Sequence, residues 1–249
     1  MLHGLIIHTA CTQSTNRDMA ELIQQCQKEG LYLPDFKTII ADYQISGRGQ
    51  GANHWHSGAG LNLLATLHFQ PTIPAHRQFL FNQYFALAVR KTLLPYCNDV
   101  KIKWPNDIYV SDRKIAGILI EHTVMGNTLS HTIAGIGLNV NETDFPEELP
   151  NPVSIRQMTG KNHDVGEIAN QLITNCMETY PLLQAENGTL LSTAYWEHLY
   201  RREMWAEYEI QGVQMEACIV GIDPYGRLIL EDRRGEKYTC GMKEVRYLI

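Results

Sequence analysis

Apolar and polar positions follow two regimes along the chain. Up to about residue 203, short β-type apolar runs alternate with stretches of helical period. Residues 5–8 and 38–42 are predicted strands, and between them Met19, Leu22, Ile23 and Cys26 share one helical face. That helix follows Ser14-Thr15-Asn16, where Thr15 with Asp18 three positions on forms a capping signature, and Gly30 stops it. The next predicted strand is 61–69. Pro74 suits the first turn of a long helix to about residue 94, its buried stripe including Phe79, Leu80, Phe85, Leu87 and Val89. Residues 100–110 are β-patterned but broken at Pro105, and 114–121 form a second hairpin arm. A turn at Gly126-Asn127 leads to a strand over 129–136. A loop over 141–152, a helix from 164 or 165 to about 185, and another over about 190–200 complete this regime. After residue 203 come short β-runs at 207–210, 216–220, 228–231, 238–240 and 245–249, separated by Gly- and Pro-containing turns. This spacing predicts a small barrel of the SH3 or OB kind. The boundary falls near 203–211, dividing the chain into 1–205 and 206–249.

Composition narrows the class. The chain has 249 residues, 44% hydrophobic and 19% charged, enough for a substantial core in one large domain or a large and a small one. A net charge of -6 gives no whole-molecule field that recruits nucleic acid. No apolar run is long enough for a membrane span, and Leu5-Ile6-Ile7 is too short for a secretory signal. Six scattered cysteines without a Cys-x-x-Cys pattern are expected to be reduced thiols in a cytoplasm.

Candidate chemistry concentrates in Ser46-Gly47-Arg48-Gly49-Gln50-Gly51-Ala52-Asn53-His54-Trp55-His56-Ser57-Gly58. Dense glycines let backbone N–H groups approach a ligand closely, and Arg48 adds a permanent charge with a fork of donors. Two readings stand: a loop that closes over an anion, or a mobile surface loop. Ser14 and Thr15 either cap their helix or present hydroxyls to a small polar ligand at its positive end. Lys114, beside an otherwise apolar strand, either finds an anion or snorkels into water. In Gly135-Ile136-Gly137-Leu138-Asn139, glycines allow close approach at a strand end and Asn139 offers an amide. The glycine spacing fits neither a dinucleotide fingerprint nor a P-loop. His54-x-His56 lacks a neighbouring third ligand for zinc, and no G-x-S-x-G elbow occurs.

Taken in order, four segments make the chain resemble the biotin protein ligase family. They are Ser14-Thr15-Asn16; Gly47-Arg48-Gly49-Gln50 with Trp55 and Ser57-Gly58; Lys103-Trp104-Pro105-Asn106-Asp107 followed by the run from Lys114 to Glu121; and Gly135 to Asn139. The resemblance implies an α/β (α+β) fold: a class II synthetase-like catalytic domain with a mixed β-sheet flanked by helices, then an SH3-like C-terminal domain. It implies that biotin's carboxylate attacks the α-phosphate of MgATP, giving biotinyl-5′-AMP and pyrophosphate. A lysine ε-amine on the biotin carboxyl carrier protein domain of a biotin-dependent carboxylase then displaces AMP. By the same resemblance, Lys114 and Arg48 are catalytic, with Lys114 bridging carboxylate and α-phosphate. Ser14, Thr15, Asn16, Gln44, Gly47, Arg48, Gly49, Gln50, Trp55, Lys114, Gly117 and Gly135 contact biotin. Arg48, Gln50, Trp55, Lys103, Asn106, Asp107, Lys114 and Asn139 form the ATP and adenylate side, with Asp107 a candidate for holding Mg²⁺ or orienting the incoming lysine.

One position departs from the pattern: Gln50 stands where the family commonly has a second arginine, so a cation from elsewhere, such as Arg227 or Arg246, is expected to compensate. A lipoate or octanoate transferase of the same fold is the nearest rival. A DNA-binding repressor role is not expected, since only thirteen residues precede Ser14 and no basic face is evident. A non-catalytic biotin-binding module would not need Lys114 or the ATP-side residues. An edge strand offers a way to pair two copies into a homodimer.

Overall fold

Alternating apolar runs and helical stretches build a seven-stranded mixed sheet with helices on both faces, followed by a five-stranded antiparallel sheet. The computed structural model describes residues 2, 4–51, 53–184 and 188–249, and only the backbone of Gln184. Ala52 in the glycine loop and the expected helix end at residue 185 lie outside the described residues.

The first sheet contains β1 (Ile6–Thr12), β2 (Thr38–Gln44), β3 (Leu63–Phe69), β4 (Val100–Lys103), β5 (Asp107–Val110), β6 (Arg113–Met125) and β7 (Thr128–Leu138), in the order β1-β2-β3-β7-β6-β5-β4. Only the β1–β2 pair is parallel. Every residue of the central β3 is buried, as expected of a strand covered on both faces. Helix α1 (Thr15–Glu29) packs Met19 and Ile23 against Ile39 and Ile133 on one face. On the other, α2 (Phe79–Leu93) and α4 (Val165–Gln184) cover Leu63, Ala65, Leu67 and Phe69. The short α3 (Ile155–Thr159) begins at a capping box made by Ser154 and Gln157, and α5 (Thr189–Glu197) precedes the second sheet. No helix among the described residues is long and apolar enough to cross a membrane.

Two helix starts differ from expectation. Pro74 begins only a 3₁₀ turn over Ala75–Arg77, and α2 starts at Phe79. At α1 the cap residue is Ser14, whose side chain makes no capping bond. Asp18 instead accepts from the Thr12 hydroxyl at 2.9 Å. The hydroxyls of Ser14 and Thr15 are therefore free of helix duty.

The second sheet holds β8 (Trp205–Ile210), β9 (Val213–Ile222), β10 (Leu228–Asp232), β11 (Lys237–Cys240) and β12 (Val245–Tyr247), in the order β11-β10-β9-β8-β12. Its inner residues Tyr208, Ile210, Ile219, Leu228 and Leu230 belong to the same apolar cluster as the α2 face of the larger sheet. At the junction, Trp104 Nε1 donates to the Gly226 carbonyl at 2.8 Å and the Arg201 guanidinium donates to the Leu248 carbonyl at 3.1 Å. Gly226 has φ +85°, and a Cβ there would overlap Phe79, so this turn needs glycine twice over.

Candidate functional site

Lys114 is the second residue of β6, beside a bulge in that strand: Ile115 has no partner on β5, where the register shifts between Ile108 and Tyr109. Its backbone is held on both sides: its N–H donates to Asn151 O at 2.7 Å, and its carbonyl accepts from Val153 N–H at 2.9 Å. The ammonium lies 2.7 Å from Asp107 Oδ1, on the neighbouring strand. The Asn106 side-chain amide bonds to Ile118 O, and Ile118 N–H returns a bond to Asn106 O at 3.0 Å, locking the start of β5 to β6. Lys103 ends β4 with its ammonium 4.6 Å from the Tyr247 ring centre and 5.2 Å from that of Tyr109. Burial lowers its pKa below the usual lysine value; Asp107 works against that shift, while Lys114 and Arg201 add to it.

Glycines floor the site on the α1 face of the sheet. The Asn16 amide occupies the space a side chain at Gly135 would need, and the Trp55 indole lies over Gly137 and against Gly117. Trp55 Nε1 is buried with no partner among the described residues. Trp55 arrives there because residues 47–49 and 53–55 pair as the arms of a small hairpin. Its rungs are Trp55 N–H to Gly47 O at 2.9 Å and Gly49 N–H to Asn53 O at 2.8 Å. The Gln50 amide touches Met242 Sδ, and Gly58 N–H is anchored on Glu142 Oε2 at 2.8 Å.

At the other end, the Thr15 N–H donates to Gln44 Oε1 at 2.7 Å, and the Thr15 hydroxyl lies 3.1 Å from the same oxygen. These groups enclose a cleft of about 260 Å³. Ser14, Thr15, Asn16, Gln44, Arg48, Gly49, Gln50, Trp55, Lys103, Asn106, Asp107, Lys114, Gly117 and Gly135 all line it. Two nominated residues do not. Gly47 sits within the hairpin, its carbonyl taken by Trp55, and Asn139 is buried with its amide donating to Val153 O at 3.0 Å. Asn139 thus steadies the segment that pins Lys114.

The lining also includes residues not nominated from the sequence: Asn53, His54, Trp104, Gly137, Met242, Val245 and Tyr247. The C-terminal ones carry only a β-pattern, so no local signal marks them. Of the two tail cations suggested for Gln50, Arg246 lines the cleft, whereas Arg227 pairs with Asp223 at 2.7 Å beside a separate cavity beyond Trp104. A chain of net charge -6 therefore gathers Arg48, Lys103, Lys114 and Arg246 around one lining carboxylate, Asp107.

A cation-rich, glycine-floored cleft on a mixed sheet, closed by a second small sheet, puts the chain in the class of α/β protein ligases. Residues 9–139, more than half of the chain, match the Biotin/lipoate A/B protein ligase family, and the chain belongs to it. It is similar to the bifunctional ligase/repressor BirA of Bacillus subtilis, 28% identical over 247 residues covering 94% of this chain and 71% of that protein. The corresponding protein of Escherichia coli is 30% identical over 203 residues, covering 77% and 60%. The biotin--[acetyl-CoA-carboxylase] ligase of Paracoccus denitrificans is 29% identical over 214 residues, covering 80% and 85%. The fold matches that of the Aquifex aeolicus biotin protein ligase solved with biotin and ATP, at a TM-score of 0.79 and 20% identity over 98% of this chain and 99% of that one.

Proposed function

We propose that this chain activates biotin with ATP as biotinyl-5′-AMP and transfers the biotinyl group to a lysine of a biotin carboxyl carrier domain. The observation that carries this reading is the gathering of four cations, Arg48, Lys103, Lys114 and Arg246, on a cleft lined by one carboxylate, Asp107, while Glu121 and Glu209 hold the two arginines from outside the lining. Adenylation brings a carboxylate up to a triphosphate, and fixed cations must offset that repulsion.

Each residue then has a task. The Gln44 carbonyl is taken by Thr15, so the Gln44 amide N–H groups and the Ser14 hydroxyl remain for the ureido carbonyl and N–H groups of biotin. Lys114, held by Asp107 until the ligands arrive, turns to the biotin carboxylate and α-phosphate. Asp107 is then free to accept a proton from the incoming lysine amine, whose nitrogen forms the amide bond as AMP leaves. Magnesium binds through substrate phosphates and few carboxylates; in the first half-reaction, before the amine arrives, Asp107 would be the carboxylate offered to it, and the ion would supply charge neutralisation on the phosphates. The hairpin arms at 47–49 and 53–55 keep water from the hydrolysable mixed anhydride. All six cysteines are free thiols, fitting the reducing cytoplasm in which we place the reaction.

Pyrophosphate release is the test. It is expected to require both biotin and ATP, and Lys114→Ala is expected to slow it by about 10²–10³-fold, the usual cost of losing a charge-stabilising group. Release driven by lipoate or octanoate and not by biotin would assign the chain to the other branch of its family.

A further inference from the structure

Glu121, on β6, stands outside the cleft lining but between two groups that the proposed reaction uses together. One carboxylate oxygen, Oε2, accepts from Asn16 Nδ2 at 2.7 Å; the other, Oε1, accepts from the Arg48 guanidinium at 2.5 Å. Asn16 is buried, and its Oδ1 lies 2.7 Å from the Thr66 hydroxyl, itself 2.8 Å from Thr15 Oγ1. Thr15 in turn bonds Gln44. Hydrogen-bonded contacts therefore run from Gln44 through Thr15, Thr66, Asn16 and Glu121 to Arg48, joining the two ends of the cleft without passing through a ligand.

We propose that Glu121 is a positioning residue for the hairpin arms at 47–49 and 53–55: it holds Arg48, and with it the paired arms, keyed to the start of α1. This deepens the biotin-ligase reading and rests on it. A half-exposed ion pair is ordinarily a weak contact, because two long side chains lose entropy to make it. Here much of that cost is already met, since the buried Asn16 fixes the carboxylate through its second oxygen. The guanidinium has five donors, so it can keep one on Glu121 while the others face an anion in the cleft. Loosening Glu121 should therefore open the hairpin more often and let a bound adenylate escape, without removing any group that touches the reacting atoms.

The full chain is compared with Glu121→Gln, which keeps an oxygen for Asn16 and loses the charge on Arg48. Without ligands, exchange of the Gly49 and Trp55 amide hydrogens, the two hairpin rungs, is expected to speed up about two- to five-fold in the variant. Added NaCl should raise the wild-type rate toward that of the variant and leave the variant unchanged. With biotin and ATP, release of biotinyl-AMP into solution is expected to quicken by a similar factor, and the KM for biotin to rise more than the saturating rate of adenylate formation changes. Equal exchange rates in the two proteins, or faster exchange with unchanged adenylate release, would overturn the proposal. A lowered melting temperature with faster exchange throughout α1 and β6 would overturn it too, assigning Glu121 to folding alone. If neither protein forms an adenylate from biotin and ATP, the functional reading fails, while the ligand-free exchange experiment still decides whether Glu121 holds the hairpin.

Discussion

Gln50 carries no charge where the family resemblance leads one to expect an arginine, and its amide turns to Met242 rather than into the cleft's cation set. Arg246, on β12, supplies a guanidinium to the same cleft while its other contact is the half-buried Glu209. A hydrogen bond to a charged group is worth about 1.5–3 kcal/mol. Arg246→Ala is therefore expected to raise the KM for ATP by about ten- to a hundred-fold and leave that for biotin nearly unchanged. Arg227→Ala, whose side chain is committed to Asp223, should change neither. Steady-state pyrophosphate assays on both variants check this, and equal effects would take Arg246 off the phosphates. Residues of this kind differ in how visible they are in a sequence. Arg48 and Lys114 stand out because a charge inside a glycine run or an apolar strand has no inexpensive structural use. Glu121 and Tyr247 do not stand out. A carboxylate toward the end of a strand looks solvated and a tyrosine near a chain end looks like core, and only the folded distances give them other partners.

Strands and helices were more legible than their ends. Period and turn residues locate every strand of both sheets, yet the bulge that brings Lys114 opposite Tyr109 leaves no trace in the alternation. The start of α1 departs from the capping signature for a physical reason: Thr12, the last residue of β1 and three positions before Thr15, captures Asp18, so the apparent cap is dismantled by tertiary structure. The sheet's histidines show the same dependence on context. His68 on β3 lies 3.0 Å from His131 on β7, whose other ring nitrogen meets Gln27 on α1 at 2.9 Å. Burial lowers the pKa of His68 and of His131, and pushes that of His122, on the adjacent β6, down to about 4. The folded state keeps these rings neutral, whereas the unfolded chain protonates them near 6.5. Stability is thus fully present above pH 6.5 and is lost as pH falls from there toward 4, each ring adding a slope of at most about 1.4 kcal/mol per pH unit. Urea midpoints are expected to be level between about pH 7 and 8 and to fall below that window, and His122→Gln should flatten the fall. A midpoint that held steady down to pH 5 would show that these rings protonate without cost.

At the scale of the whole molecule, the change of pattern after residue 203 marks where the second sheet starts but not where the core stops. The apolar cluster continues through Tyr208, Ile219 and Leu230, and the cleft draws Met242, Val245, Arg246 and Tyr247 from that sheet. The joint is made at Gly226, whose carbonyl accepts from Trp104, itself part of the cleft wall. Because one core serves both sheets, unfolding is expected to be a single cooperative transition. Gly226→Ala tests the joint and the site at once. A side chain there is strained by the +85° φ and must displace Phe79, so destabilisation of about 1–3 kcal/mol is expected. The same shift moves the sheet that carries Arg246 and Tyr247 relative to Lys103 and Trp104, so the KM for ATP should rise as the melting temperature falls. Arg246→Ala, by contrast, should raise that KM with the melting temperature unmoved, because its side chain is largely exposed. If Gly226→Ala lowers stability and leaves ATP binding intact, the second sheet supplies cleft residues that tolerate displacement, and the phosphate contacts must come from Arg48, Lys103 and Lys114 alone.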